Sequence, residues 1–260
     1  MSARDTFPLK TSRDVSEREV MATNADILIR RRPSDRALFW AAAIGFPLLV
    51  LIGYARTYYL SAFFTHKPLA NELIHAHAFV MSTWVVYFTA QIALIRTKNV
   101  RVHMTMGWVG VALALIVIVV GMWAAFDAHF VRYTGPPGVD PHAFFMVPLI
   151  GMILFVIYFG GAIYYRKRPA EHKALMLMTA INFVAAAIAR IPLLPPQMAM
   201  LQYFGLTDVL ALVSLGYFTW KHKKFNWTFG WAVALLIVSQ PLTVVIGYSK
   251  PWLDFAAWLY

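Results

Sequence analysis

Apolar residues gather along this chain into seven runs, at Ala37 to Ala55, Leu73 to Ile95, Met104 to Phe126, Ala143 to Tyr165, Ala174 to Leu194, Leu201 to Trp220 and Trp227 to Ile246. A helix rises about 1.5 Å per residue, so runs of roughly 20 residues suffice to cross a hydrocarbon core about 30 Å thick. Short polar connections separate them, some basic and some carrying proline pairs such as Pro136, Pro137 and Pro195, Pro196. Residues 1–36 contain no apolar run and include Arg30, Arg31, Arg32 and Pro33. The first run lacks the short apolar core and small-residue exit of a cleaved signal and counts as the first helix. The pattern predicts an all-α integral membrane protein with seven transmembrane helices. They form a central bundle in one domain over 37–260, behind a basic cytoplasmic tail over 1–36.

Composition agrees: 60% of residues are hydrophobic and 13% charged, against about 25% charged in a typical soluble domain. The distribution of positive charge adds an orientation, because basic loops stay on the cytoplasmic side. Of the 23 Lys and Arg residues, 18 lie in the tail, in Arg96–Arg101, in Arg166–Lys173 and in Lys221–Lys224. The alternate connections hold only Arg56, Lys67, Arg132, Arg190 and Lys250. The N-terminus is expected inside and the C-terminus outside. The same distribution accounts for the net charge of +11 without a nucleic-acid partner, leaving membrane lipid as the first contact.

That topology sorts the histidines. His77 opens the second helix and His142 the fourth at the outer face, while His103 opens the third and His172 the fifth at the inner face. Two cross-helix pairs result, each of the kind that could hold a haem iron between imidazoles. An interfacial role for each histidine singly is the plain alternative. Residues two apart on a helix point about 200° apart, so His75 and His77 cannot share a site. His77 lies deeper, on one face with Met81, Trp84, Phe88 and Gln91. His66, His129 and His222 read as solvated loop residues, and His75 as facing a neighbour or the outer loop.

The words H-A-H, Gln91, R-V-H-M-T-M-G-W and E-H-K-A-L-M-L-M, with Arg190 beyond them, span about residues 70 to 195. Together with the helix pairing they resemble two-haem membrane cytochromes of the b561 type and related uncharacterised bacterial membrane proteins. The resemblance implies one or two b haems. His77 and His142 would be axial ligands of one iron, and His103 and His172 of the other. It also implies electron transfer across or along a bacterial inner membrane, with a quinol or other redox partner. The chain departs from that pattern in placing its histidines near helix ends and in lacking an ascorbate-site motif.

Arg190 and Asp208 fall within the predicted fifth and sixth helices near the outer face. Charges at such depth are costly when alone, so the pair is expected to bond to each other. Alternatively Arg190 faces an anion such as a haem propionate, which its planar fork suits, or Glu72. Met104, Met106, Met176 and Met178 flank the inner histidines and could suggest copper, but methionine in so apolar a chain more often fills packing gaps. Trp84 reads as buried, and Tyr164 and Tyr165 as rim anchors.

Absences narrow the rest. With no cysteine there is no disulfide, iron–sulfur cluster or c-type haem attachment. The seventh helix has no lysine for a retinal Schiff base. No H-E-x-x-H, no G-x-x-x-x-G-K and no inverted repeat occurs. Two expectations remain: a membrane b-type cytochrome-like oxidoreductase or electron-transfer subunit, or a cofactor-free accessory subunit or assembly factor of a larger complex.

Overall fold

A computed structural model describes residues 35–64, 71–136 and 138–259. The basic tail before Asp35, together with His66 and Lys67, lies outside the described residues. The chain from Arg36 onward forms one compact, all-helical unit, with no strand among the described residues.

Among the described residues, seven helical segments are long and apolar enough to span a membrane. The first is α1 (Arg36–Tyr54), which continues as a π-helical turn over Ala55–Tyr59 and is followed by the short α2 (Ser61–Phe64). Next come α3 (Glu72–Arg96) and α4 (Val100–Phe126), the latter prolonged by a π-helical turn over Asp127–Val131. The fourth span is broken into α5 (Pro141–Phe144) and α6 (Met146–Tyr164). Then follow α7 (Pro169–Ile188), α8 (Leu206–His222) behind a π-helical turn over Leu201–Gly205, and α9 (Trp227–Gly247). An eighth helix, α10 (Lys250–Leu259), was not foreseen; ten residues reach only about 15 Å, too short to cross. The end of the bundle that carries Tyr54, His77 and Gly247 is here the outer end, following the charge reading.

At the centre stands α7, with 61% of its apolar window inside the bundle, against 17% for α3. Its mean hydropathy of 1.2 is the lowest of the seven, while the more lipid-facing α4 reaches 2.7. The inversion is physical: a helix surrounded by protein can carry polar groups that find partners, and one surrounded by lipid cannot. Asn182 of α7 thus donates to the Gly151 carbonyl of α6 at 2.9 Å. Outward-facing side chains such as Phe79, Leu115, Trp231 and Val245 are largely exposed on the bundle surface, where lipid covers them.

Proline shapes two elements. Pro47 inside α1 has no N–H, so the Ala43 carbonyl one turn earlier loses its helical donor. Thr89 of α3 supplies a hydroxyl there at 3.3 Å, tying the helices together. The fifth run was expected to continue helically to Leu194, but α7 stops at Ile188. Pro192 disfavours helical geometry at Ile191, and Arg190 therefore sits in the turn beyond the helix. The freed carbonyls of Ile188 and Ile191 accept from the side-chain amide of buried Gln202, whose oxygen in turn accepts from the Leu194 amide.

Candidate functional site

All three π-helical turns among the described residues stand at the outer end, and each contributes to the wall of one cavity of about 560 Å³. Turns of this kind are rare and occur disproportionately at functional sites, because the extra residue per turn re-aims side chains. Ala55–Tyr59 provides Thr57, Tyr58 and Tyr59, Asp127–Val131 provides Ala128 and His129, and Leu201–Gly205 provides Tyr203. The first turn is fastened to α3 by Tyr59 to Ser82 at 2.7 Å and Tyr58 to His75 at 3.3 Å.

The cavity walls are mostly apolar, and the volume lies within the range of about 300–1,000 Å³ typical of small-molecule and cofactor sites. The cavity's ionisable groups are the imidazoles of His77 and His129, the guanidiniums of Arg132 and Arg190, and tyrosine hydroxyls. His77 lines it from α3, with Met81 beside it, while Trp84, Phe88 and Gln91 continue the same face as buried residues. His75 is exposed. The Nδ1 atom of His77 is buried with no protein partner among the described residues. Arg190 also lines the cavity; its guanidinium donates to the Ala186 carbonyl at 2.6 Å and lies 4.5 Å from the centre of the Tyr54 ring.

The expected ion pair between Arg190 and Asp208 does not form. Asp208 instead accepts from the Gln240 amide of α9 at 2.6 Å. Helix α7 ends before Arg190, leaving that side chain to turn toward α1, and Glu72 is exposed. Arg190 therefore faces the cavity with no carboxylate partner among the described residues. The second cavity arginine, Arg132, differs: it holds Asp127 at 2.6 Å, and Asn71 donates to the same carboxylate at 3.1 Å. The cavity is left with one uncompensated positive group. Gln240→Leu should lower the midpoint of thermal unfolding in detergent by an amount worth about 1–3 kcal/mol, because it strands the Asp208 carboxyl. Asp208→Asn should cost less, and the reverse order would show that the bond contributes nothing.

Two histidines read as solvated are not. His129 is buried at 7% exposure, lines the cavity and has a buried Nδ1 without a partner. Its helix runs past Phe126 because Asp127 and Arg132 neutralise each other across the π-helical turn. The signal in the sequence is the stripe Gly121, Ala125, His129, one helical turn apart at each step. His222 is half-buried, its ring stacked on Phe218 at 4.2 Å. His142 does not line the cavity; its ring lies against Phe130 at 4.9 Å and Tyr133 at 5.3 Å.

At the inner end, His103 of α4 and His172 of α7 come together, their ring centres 6.3 Å apart and their planes at 78°. One metal ion bound about 2 Å from a nitrogen of each ring would put the ring centres roughly 6 Å apart. Nδ1 of His172 is 2.8 Å from the Ala162 carbonyl, a contact that fixes the ring and leaves Nε2 as its other nitrogen. Nδ1 of His103 and Oε1 of Gln91 are buried without partners.

No protein-family model, curated protein or solved structure matches this chain.

Proposed function

We propose that the chain is a membrane b-type cytochrome, moving electrons across or along a bacterial inner membrane between a quinol or other donor and an acceptor. The observation that carries the reading is the outer cavity: apolar, of cofactor size, with the imidazole of His77 and the unneutralised guanidinium of Arg190 in its wall. The donor set fits haem: a neutral imidazole nitrogen suits the iron, and the arginine fork suits a propionate. The orphaned Nδ1 of His77 also marks a ring that the protein alone does not satisfy. His103 and His172 would hold the second haem, as their 6.3 Å separation favours.

Bound haem supplies reversible one-electron chemistry. The chain's part is placement and exclusion. The π-helical turns wall the cavity beside His77, its apolar residues limit water there, and Arg190 offsets negative charge that would otherwise be costly.

Protein purified in detergent from haem-replete cells should be coloured. On dithionite reduction it should show the sharp bands of low-spin b haem, with up to two haems per chain. A colourless preparation overturns this reading and leaves the cofactor-free accessory subunit.

A further inference from the structure

If the outer cavity takes a low-spin b haem, a second protein ligand is called for, and three described histidines lie at that end besides His77. His75 is exposed and bonded to Tyr58. His142 is fixed elsewhere. Asp140 caps its short helix by accepting from the amides of His142 and Ala143, the His142 carbonyl accepts from the Trp252 indole at 2.9 Å, and its ring packs on Phe130 and Tyr133. Only His129 shares the cavity wall with His77.

The helical register sets the depth of these two residues. Asn71 bonds Asp127, and further down the same antiparallel pair Tyr87 donates to the Met106 carbonyl. These contacts put Gly121 of α4 about level with His77, and His129 roughly 12 Å nearer the outer end, at 1.5 Å per residue. Side chains on a helix lean toward its N-terminus. In α3 that lean carries His77 outward, and in α4 it carries His129 inward, so each side chain is directed toward the part of the cavity wall that lies between their two levels. Gly121, with no side chain, leaves the space beside His77 open. Adjacent helical residues point about 100° apart: His129 faces the cavity, while Phe130 packs with Phe145, Ala256 and Trp252. His129 is held by edge contacts with Phe144 at 5.4 Å and Phe145 at 6.0 Å. Like His77 it keeps a buried ring nitrogen that no protein group meets; His142 does too, at Nε2, so the shared cavity wall is what separates the two candidates.

We infer that His129, and not His142, is the second axial ligand opposite His77, so that the outer centre is held by the adjacent helices α3 and α4. The inference rests on the haem reading above. It also gives the π-helical turn a purpose, since the extra residue in its turn re-aims His129 relative to the helix before it.

The test compares wild type, His129→Ala, His129→Met and His142→Ala, each purified from haem-replete cells. Haem per chain, the reduced absorption spectrum and electron paramagnetic resonance of the oxidised form are read. His129→Ala should either leave the outer haem high-spin, with added imidazole restoring its low-spin signal, or release it, with His129→Met retaining it. His129→Met should stay six-coordinate with a changed spectrum, because methionine is also an axial ligand. His142→Ala should match wild type. Survival of the outer low-spin component, the one lost in His77→Ala, in His129→Ala, a high-spin outer haem there that imidazole does not return to low-spin, or loss of that component in His142→Ala overturns the assignment while leaving the haem reading standing. Wild-type protein without haem overturns both.

Discussion

Gly53→Leu should prevent stable assembly of the bundle, and even Gly53→Ala should lower the unfolding midpoint clearly. Gly53 is buried where α1 crosses α7, and a Cβ added there would land on the carbonyl oxygen of Ala187, with its carbonyl carbon and Cα within 2.8 Å. These are backbone atoms of the most buried helix, so relief requires moving α1 away. Overpacking of this kind costs about 1–3 kcal/mol for small additions, and more where nothing can rotate aside. The loss should reach the cavity too, because Phe46, Val50 and Tyr54 form its α1 wall. Gly45 is the control: nothing lies within 4 Å of its Cβ position. Gly45→Ala should be neutral or stabilise by up to about 1 kcal/mol, as alanine suits a helix better. Thermal unfolding of the three variants in one detergent decides the matter, and a Gly53→Leu protein that melts with wild type would mean that α1 and α7 do not touch there.

His77→Ala should remove the outer haem and leave the inner one, and His103→Ala should do the reverse. The two positions belong to opposite ends of the α3–α4 hairpin, and His103 meets His172 while His77 lines the outer cavity. Sites that share no partner should behave additively. Each single variant should then lose one spectral component and one equivalent of haem, and the double variant should lose both. Loss of all haem in either single variant would contradict two independent centres. Size-exclusion profiles matching wild type would separate loss of ligand from loss of fold.

Much of the architecture is legible in the residues because lipid imposes a single strong rule. Every spanning segment must satisfy its own backbone hydrogen bonds and present apolar surface, so helix number and approximate bounds follow from hydropathy alone. The shared face of His77 with Trp84, Phe88 and Gln91 was equally readable, since helical periodicity fixes it. Helix ends were harder. The fifth run, from Ala174, was apolar to Leu194, and only the prolines and the buried Gln202 cap show why α7 stops six residues earlier.

Pairing across the bundle was not legible. Asp208 and Arg190 lay at similar predicted depth, yet depth says nothing of the direction in which a side chain points, and Gln240 took the carboxylate. His129 carried the same ambiguity. Beyond the last apolar residue it looked like a loop group, because the mutual neutralisation of Asp127 and Arg132 that lets the helix continue is a contact across a turn and not a property of composition. The chain itself thus determined seven apolar helices and the faces each one presents, because lipid acts on every segment separately. The cavity, its two histidines and its one uncompensated arginine were decided only in the folded bundle, where helices from distant parts of the sequence meet and three π-helical turns re-aim the side chains between them.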